Sequence, residues 1–595
     1  MVDDLAVVIK EQNGHARHKE LVRINVPFQS GALTENCILK YLDEGELTGV
    51  VGCKPLAYWP DNSVKWAECR FFVTCLPYEQ KTLKFRVAAE AEHETTEVQD
   101  DVASLALFPT TFNAQAITMT LVTDDGTRHP VEVCSVTAET LFRQADQSVI
   151  KRTVQGKLLN LAHIKFTLVQ EYHQLLRVIR SDITIHNANR ARHPNGQWDL
   201  GDENSLLFKS LMLQVDNDSD TVNFCDVEQQ NWSTFNTPFS LIQHSSGGEN
   251  WNSPNHVDAS NKVPFNTKGF VLTHSQDTHI GERISPLISA VGENPLTCFI
   301  EHFWQNFPSG LQHSGRALTI ELFPLLDYHH ELQPGEKKTQ SVWLSNNPDT
   351  SVLKNLLQPL HTRVCTQYLA AVNVIPFYTP TLSKSYQDII ELALDEKNGF
   401  AAKRELIDEY GWRNFGDLYA DHENAEFNGQ GLIISHYNNQ YDPLYGFIRQ
   451  YLHSGEQQWL ALANELAQHI VDIDIYHTDL DRCEYNNGLF WHTDHYVDAA
   501  TASHRTYSKN QPQNVYMDHA GGGGPAGQHC YTTGLMLHHF LTGSDSSKQA
   551  VIKLTEFITH YYEGTGGLLD FALAVKNRQR PDTKDVVTGH YPLDR

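Results

Sequence analysis

The chain has 595 residues, 40% hydrophobic and 20% charged, and its 46 Lys and Arg against 72 Asp and Glu give a formal net charge of −26. This composition is typical of a folded protein of about three or four domains and excludes a largely disordered chain. The acidic balance argues against a nucleic-acid-binding protein, whose partner needs a basic face, but leaves an acidic substrate open because a local cluster of Arg, Lys and His can bind one.

The first residues predict neither a signal peptide nor a membrane anchor. The charges near Met1 are acidic, the apolar run that follows is short, and no stretch approaches the roughly 18 apolar residues of a membrane span. None of the ten cysteines forms a C-x-x-C pair, which argues against a structural zinc site of the usual spacing. Isolated cysteines without a leader predict reduced thiols and a cytoplasmic protein; a leader removed from the sequence would make it periplasmic or secreted.

Residues 1 to about 345 predict β structure. Short runs rich in Val, Ile, Thr and Phe alternate with turn residues, and residues 162–186 contain two such runs that predict antiparallel strands. Residues 88–101, rich in Glu, Ala and Thr, are typical of a linker. We therefore expect a small β domain over residues 1–98 and a β-sandwich over residues 99–348.

Beyond residue 351 the apolar spacing changes to the helical period. It predicts helices over residues 352–360, 386–395, 441–452, 458–475 and 550–561. Gly455 and Gly543 each stand between two predicted helices, where glycine favours a left-handed terminus. Such repeated hairpins predict an α/α toroid over residues 349–595, the alternative being two ordinary helix turns that look alike.

The predicted fold is thus multidomain β + α, with a small N-terminal β domain, a central antiparallel β-sandwich and a C-terminal α/α toroid. The last residues, 589–595, are typical of a loop leading into a further helix. We therefore expect either a short toroid or a chain that is a fragment.

Several motifs resemble a known family in the order in which they occur. Val22-Arg-Ile-Asn-Val-Pro-Phe-Gln-Ser-Gly-Ala-Leu and Trp59-Pro-Asp-Asn-Ser-Val-Lys-Trp are similar to the N-terminal barrel-like module of the exo-rhamnogalacturonan lyase family. Trp198-Asp-Leu-Gly-Asp, Phe303-Trp-Gln-Asn-Phe-Pro, and Leu332-Gln-Pro-Gly-Glu with Val342-Trp-Leu resemble its middle β-sandwich. Asn438-Asn-Gln-Tyr-Asp, His469-Ile-Val-Asp-Ile-Asp and His492-Thr-Asp-His resemble its α/α toroid.

This resemblance implies a polysaccharide lyase that removes units from the chain end of a uronate-containing glycan by β-elimination. The glycan itself is left open, and rhamnogalacturonan, ulvan and glycosaminoglycan-type chains all present a uronate. The reaction needs a group that neutralises the carboxylate, a base for the C5 proton and an acid for the departing oxygen. Ten of the 31 histidines lie between residues 411 and 531, and His suits both proton transfers because it titrates near neutrality.

The first-choice catalytic segment is Phe490-Trp-His-Thr-Asp-His-Tyr, which joins aromatic side chains for sugar stacking to proton-transfer groups. We predict His492 or His495 as acid or base, because a spacing of three places both on one face of a helical turn. Tyr496 is the predicted catalytic partner and Trp491 the stacking residue. The alternative is a core histidine that bonds a backbone carbonyl.

A second candidate group precedes the predicted helix at 441–452. Asn438 is a candidate carboxylate ligand with Asn439 beside it, and Tyr441 is a candidate proton donor; the alternative is a helix cap. Arg413 is a candidate carboxylate clamp by bidentate pairing. Its alternative is an ion pair with Asp417 or Glu423.

Two further residues complete the predicted substrate-binding set. His529 ends the glycine-rich run at 518–529, which precedes a predicted helix whose N-terminus favours an anion; the alternative is a flexible loop. Trp304 of the β-sandwich is a candidate to reach the toroid cleft, because pockets concentrate at domain interfaces; the alternative is a core position in a strand.

No cofactor is predicted. His492, Asp494, His495 and Asp498 offer ligands for a divalent metal, but His-x-x-His without a third spaced ligand is a weak signal. The expected partner is an acidic oligosaccharide, with no nucleic acid and no membrane, and the oligomeric state is not predicted.

Two other functions remain open. One is a toroid glycoside hydrolase with paired carboxylates drawn from residues such as Asp417, Glu423 and Asp474. The other is a non-catalytic carbohydrate-binding protein.

Overall fold

The structure is a computed structural model of the 595-residue chain. It describes residues 5–34, 37–89, 104–109, 112, 117–144, 147–229, 231–275, 277–420, 431–482, 485–490, 493, 497–512, 524, 525, 527, 530–563 and 568.

An N-terminal sheet forms a nearly closed barrel. Its first six strands are β1 (Ala6–Lys10), β2 (Arg17–Pro27), β3 (Cys37–Asp43), β4 (Glu46–Tyr58), β5 (Val64–Cys75) and β6 (Gln80–Ala89). In β2, Val22, Ile24 and Val26 belong to the buried core while Arg23 is exposed, as expected of a strand with one face on the core; Asn25 interrupts the alternation because it is buried as well. All the pairings in this sheet are antiparallel.

The central region is antiparallel throughout its described strands. These are β7 (Ile117–Thr123), β8 (Arg128–Gln144), β9 (Gln147–Leu158), β10 (Leu161–His173), β11 (Val178–Asn187), β12 (Leu206–Asp216), β13 (Thr221–Asp226), β14 (Trp232–Asn236), β15 (Phe239–Gln243), β16 (Phe270–His274), β17 (Asp277–Gly281), β18 (Pro286–Val291), β19 (Leu296–Ile300), β20 (Ser309–His313), β21 (Ala317–Phe323), β22 (His330–Leu332) and β23 (Lys337–Ser345).

These strands pair in two layers that share one apolar core. One layer runs β17-β16-β15-β20-β21-β12-β7, with β22 on the start of β12. The other runs β14-β13-β18-β19-β23-β11-β10-β9-β8, and β7 also pairs with β8. Leu213 and Ile320 of the first layer and Phe166 and Val342 of the second belong to the same core. The predicted central antiparallel β region is confirmed.

The C-terminal part is helical, as predicted. The described α-helices are α1 (Thr350–Leu357), α2 (Thr366–Val372), α3 (Lys384–Glu391), α4 (Phe400–Ile407), α5 (Pro443–Ser454), α6 (Gln457–His469), α7 (Thr533–Thr542) and α8 (Asp545–Glu563). A π-helical turn, Ile470–Asp474, continues α6. None of the helices in the described part of the chain is long and apolar enough to cross a membrane.

Both predicted glycine-linked helix pairs are present. Gly455 ends α5 with φ 74° and Gly543 ends α7 with φ 75°, and their N–H groups donate to the carbonyls of Tyr451 and His539 at 2.7 Å. Helices α5 and α6 and helices α7 and α8 therefore form two antiparallel hairpins.

The helices pack on the N-terminal barrel, which the sequence did not indicate. A further strand, β24 (His361–Val364), lies between α1 and α2 and pairs with β1, so that the barrel sheet runs β2-β5-β4-β3-β6-β1-β24. Trp66 stacks on Phe540 of α7 with ring centroids 5.5 Å apart. The predicted domain boundaries stay a prediction, but β24 shows that chain beyond residue 348 contributes to the first module.

Glu321 of β21 provides a test of the central core. It is 4% exposed, its Oε2 accepts from Gln312 Nε2 at 2.8 Å, and burial raises its pKa to about 7. The unfolded chain ionises this carboxyl near its ordinary value of 4.5. Between these two pH values the unfolded state binds fewer protons, so the stability of the folded state falls as pH rises.

We therefore expect Glu321→Gln to stabilise the protein at pH 8 by up to about 3 kcal/mol and to have little effect near pH 4. Glutamine keeps an acceptor for Gln312 and removes the buried charge. Urea unfolding at both pH values measures the difference, with the exposed Glu293→Gln as control. If the difference in unfolding free energy between Glu321→Gln and the parent does not grow with pH, the buried-charge interpretation is wrong.

Candidate functional site

The chain after α4 runs along the junction between the central β region and the helices. Asp408 ends α4 in the left-handed region with φ 55°. The N–H groups of Gly411 and Trp412 then donate to the carbonyls of Gln305 and Phe307 at 2.7 and 2.9 Å. These two bonds fix the segment on the β region and set the position of the residues that follow.

A pocket of about 320 Å³ opens at this junction. Phe265, Phe307, Tyr328 and Trp412 give it aromatic walls. Its polar lining includes Asn255, His256, Arg413, Asn414 and Ser503. Aromatic faces with a few convergent polar groups are typical of a small-molecule site, and the volume lies at the lower end of the usual range of about 300–1,000 Å³.

Arg413 contributes a positioned cation to this pocket. Its Nε donates to Glu336 Oε1 at 2.9 Å, its Nη2 donates to Glu336 Oε2 and to the carbonyl of Glu331, and its guanidinium carbon lies 4.3 Å from the Trp412 ring centroid. The hydrogen bonds of Arg413 to described residues use Nε and Nη2, which leaves the Nη1 donors for a ligand. The ion-pair partner is thus Glu336 of the central region.

His256 is oriented by a buried carboxylate. Its Nε2 lies 2.7 Å from Asp408 Oδ2, whose other oxygen accepts from Ser246 Oγ at 2.5 Å. Because an ionised carboxylate only accepts, the proton of the neutral imidazole sits on Nε2. Nδ1 is then a lone-pair acceptor, with Asn414 Nδ2 at 3.5 Å. A histidine held in one tautomer by a carboxylate is suited to act as a general base.

Tyr328 lines the same pocket and offers a hydroxyl group that is suited to donate a proton. Burial raises the pKa of this phenol well above its usual range, so it stays protonated at neutral pH and is suited to give up a proton only to a strongly basic oxygen. The carboxyls that line the pocket, Asp258 and Glu331, already accept internal hydrogen bonds. Asp258 Oδ1 accepts from Ser260 and Lys262, and Glu331 Oε1 accepts from Gly201 N and Ser205 Oγ.

Behind the pocket lies a buried set of six side chains, which we call the imidazole–carboxylate cluster. Its members are Glu409, Asp417, His436, His469, Asp474 and His504. Each of the six is at most 2% exposed. Asn414 joins the cluster to the pocket, because its Oδ1 lies 3.0 Å from His504 Nε2.

Short contacts run through this cluster. His436 Nδ1 lies 3.0 Å from Glu409 Oε1, and His504 Nδ1 lies 3.3 Å from Asp417 Oδ2. The His436 and His504 rings are 3.8 Å apart between centroids. Asp417 also accepts from the backbone N–H groups of residues 437 and 438. The cluster therefore ties the chain around residues 409–417 to the segments that contain residues 436–438 and 504.

Burial governs the protonation of the cluster. The pKa of Asp417 is raised to about 7, chiefly by burial; Asp474 and Glu409 also act to raise it, while His469 and His436 act to lower it. Burial, with His436 and His469 nearby, holds the pKa of His504 well below its usual range. For His469, burial acts to lower the pKa, but Asp474 and Asp417 outweigh it and the pKa is raised. The cluster is thus a set of strongly interacting groups.

A close approach of backbones brings two parts of the cluster together. Gly416, with φ 111°, stands directly before Asp417, and a Cβ there would lie 2.4 Å from the carbonyl oxygen of Glu465 and 2.8 Å from His469 Cβ. Glycine alone fits this position, because a side chain would clash with α6.

The residues predicted from the sequence do not all gather at one place. Arg413 lines the pocket. Asn438 and Asn439 are fully buried, and Asn438 Nδ2 donates to the carbonyls of Phe490 and His504. Tyr441 is 50% exposed. Trp304 is half-buried, with the Arg283 guanidinium carbon 4.2 Å from its ring centroid.

Apart from Phe490 and Thr493, the residues of the first-choice segment lie outside the described part of the chain. So do the following predicted catalytic, binding or metal-ligating residues: Trp491, His492, Asp494, His495, Tyr496 and His529. Their predicted roles stay predictions. His256, Asp408 and Tyr328 were missed, because 152 positions separate His256 from Asp408 and no local motif marks the pair.

A larger cavity of about 1100 Å³ is lined by residues of the N-terminal barrel, the central region and the helices. Several of its charged groups pair with each other: Arg70 Nη1 lies 2.9 Å from Glu171 Oε1, and Arg180 Nε lies 3.0 Å from Glu301 Oε1. We place the candidate substrate site in the smaller pocket, because its aromatic walls stand beside Arg413, whose Nη1 donors bond no described residue.

Comparison with known families identifies the N-terminal module. Residues 10–72 match the family model of the PcRGLX-like N-terminal RIFT barrel domain. The predicted resemblance to the rhamnogalacturonan lyase-like family is confirmed at this module. The match covers strands β2 to β4 and most of β5, within the nearly closed barrel described above.

Comparison with solved structures gives only slight likenesses. Two GH36 alpha-galactosidases of Geobacillus stearothermophilus, AgaA and AgaB, each show 10% sequence identity and a TM-score of 0.23. The matches cover 39% and 41% of this chain and 29% and 31% of the galactosidases, so the chain spans less than a third of their length. No curated protein matches the chain. The family match at the N-terminal module agrees with the predicted function at the level of a carbohydrate-active protein.

Proposed function

We propose that the protein is a polysaccharide lyase that cleaves a uronate-containing glycan by β-elimination at the junction pocket. The observation that carries the proposal is the placement of Arg413, with its Nη1 donors directed to no described residue, in the same pocket as a histidine held in one tautomer by Asp408. The rhamnogalacturonan lyase-like barrel supports the same class of substrate.

In the proposed reaction Arg413 binds the uronate carboxylate and stabilises the enolate that forms when the C5 proton leaves. The pairing with Glu336 orients the guanidinium and offsets part of its charge, so the directed Nη1 hydrogen bonds provide most of the selectivity. Trp412 and the other aromatic walls offer stacking surfaces for the sugar ring.

His256 Nδ1 accepts the C5 proton while Nε2–H stays bonded to Asp408, which stabilises the imidazolium that results. The electrons of the C5–H bond form the C4–C5 double bond, the bond from C4 to the glycosidic oxygen breaks, and the Tyr328 hydroxyl gives its proton to that oxygen. Tyr328 then regains a proton from His256 through solvent, which returns both groups to their starting states.

We further propose exolytic action and a C-terminal α/α toroid. A pocket of about 320 Å³ suits the end of a chain better than an extended segment. The two glycine-linked hairpins, α5–α6 and α7–α8, are the repeating unit from which a toroid is built.

The decisive measurement follows two products at once. The protein is incubated with uronate-containing oligosaccharides while ultraviolet absorbance and reducing ends are recorded. We expect both to rise together, because β-elimination creates a conjugated double bond at the new non-reducing end. Reducing ends without absorbance would show a hydrolase, and neither signal over a broad panel of uronate glycans would overturn the enzyme assignment.

A further inference from the structure

The imidazole–carboxylate cluster has the ligand geometry of a metal centre. One ligand atom from each of Glu409, Asp417, His436 and His504 lies within 4.8 Å of the other three, and a second group of His469, Asp474 and His504 meets the same limit. The first four residues are at most 1% exposed. Four converging ligands of this kind rarely meet in a protein interior without a charge to hold them.

The cluster contains polar atoms that bond none of the residues the structure describes. His469 Nε2 and both carboxylate oxygens of Asp474 are fully buried and make no hydrogen bond with any described residue, although Nε2 and Asp474 Oδ1 are 3.1 Å apart. Buried polar atoms without hydrogen bonds are rare in folded proteins and require a specific explanation. These atoms lie beside His504, which belongs to both ligand groups.

His504 itself faces oxygen acceptors on both sides of its ring. Its Nδ1 lies 3.2 Å from Asn438 Oδ1 and its Nε2 lies 3.0 Å from Asn414 Oδ1. The Asn438 amide cannot be turned, because its Nδ2 already donates to two backbone carbonyls. A neutral imidazole donates only one hydrogen bond, so one ring nitrogen directs a lone pair into a site rich in negative oxygen atoms.

We propose that the cluster binds one divalent first-row transition metal ion, Zn²⁺ or Mn²⁺, through Glu409, Asp417, His436 and His504. Two carboxylates balance the ionic charge, and two imidazoles supply the nitrogen ligands that such ions prefer. Mg²⁺ and Ca²⁺ are poor candidates, because they favour oxygen ligands alone.

The burial of the ligands assigns the ion a structural role. Its ligands come from the segment after α4, from the chain before α5 and from the loop around residue 504, where the described backbone contains little regular structure. A structural metal stabilises such a region directly, because binding free energy becomes folding free energy. Through Asn414 the ion also fixes the wall of the junction pocket. The inference is independent of the proposed reaction.

Metal analysis of the full chain tests the proposal. The protein is purified without an immobilised-metal column from cells grown with trace metals, and elemental analysis follows gel filtration. We expect about one Zn or Mn per chain. Removal of the ion with a chelator should lower the thermal unfolding midpoint by several degrees, and Zn²⁺ or Mn²⁺, but not Mg²⁺, should restore it.

Variants then test which residues bind the ion. His436→Gln with Glu409→Gln should lose the metal, whereas His538→Gln should retain it. His538 is the matched control, because it is a buried histidine that bonds Ser547 and Asn464 away from the cluster. Retention of a full equivalent by the double variant would overturn the ligand assignment. A metal-free parent protein that no added divalent ion stabilises would overturn the site, and this measurement does not depend on any variant folding.

Discussion

Replacing Arg413 with lysine should lower kcat/KM on a uronate oligosaccharide by about 10²- to 10³-fold, the usual effect of losing a directed donor to the developing negative charge. The ammonium lacks the planar fork of the guanidinium, so it cannot keep the two-point pairing with Glu336 and also present the Nη1 donors in the same directions. Initial rates from the increase in ultraviolet absorbance measure the effect, and the unfolding midpoint of the variant checks that the fold is retained.

The matched control is Arg449→Lys. Arg449 also bonds backbone carbonyls, those of Pro376 and Phe377, and stacks near Tyr378, but it does not line the junction pocket. Its replacement should leave kcat/KM within about twofold, since surface substitutions of this kind have small effects. The loss for Arg413→Lys should also shrink on a methyl-esterified substrate, whose carboxyl has no charge. Equal losses on both substrates would show that Arg413 does not bind the carboxylate.

The spacing of apolar residues predicted strands and helices well where one face of the element packs on a hydrophobic core. In β10, Ile164, Phe166 and Leu168 are buried as the alternation requires, and in α5 the predicted stripe of Leu444, Phe447, Ile448 and Tyr451 is buried. Both signals arise from neighbours within one element, so they can be found without knowledge of the rest of the fold.

Long-range partners explain what the sequence could not predict. Strand β24 has only four residues, and its place is fixed by β1, more than 350 positions earlier. The ion-pair alternatives for Arg413 were acids close in sequence, whereas its partner Glu336 comes from a different module, 77 positions away. Asp417, considered as a hydrolase acid, is fully buried and accepts from the backbone before α5. In each case the three-dimensional fold, which no local pattern encodes, selects the partner.

The histidine density predicts a proton-transfer site between residues 411 and 531, but it does not distinguish buried histidines from those that line a pocket. His436, His469 and His504 are each at most 2% exposed and do not line the junction pocket, whereas His256, far outside the histidine-rich stretch, does. Residue type and spacing indicate which chemistry a side chain can perform, and burial decides whether a glycan substrate can reach it.

His256→Gln should lower kcat by about 10²- to 10⁴-fold, the range expected for loss of a general base. Glutamine can keep a hydrogen bond to Asp408 but cannot accept the C5 proton. The exposed His279→Gln serves as the control and should retain the parent rate. Added imidazole should restore part of the activity of a His256→Gly variant, because a small base can then enter the vacated space.

Asp408→Asn distinguishes a positioning role from a purely structural one. Asparagine is nearly the same size and still accepts from Ser246, but its amide removes the charge that fixes the His256 tautomer. We expect kcat to fall while KM stays nearly constant, since substrate contacts are unchanged. A rise in KM with unchanged kcat would place Asp408 in binding instead. Failure of imidazole to rescue His256→Gly, together with parent-like kcat in Asp408→Asn, would remove His256 from the reaction and move the base to the predicted segment around His492 and His495.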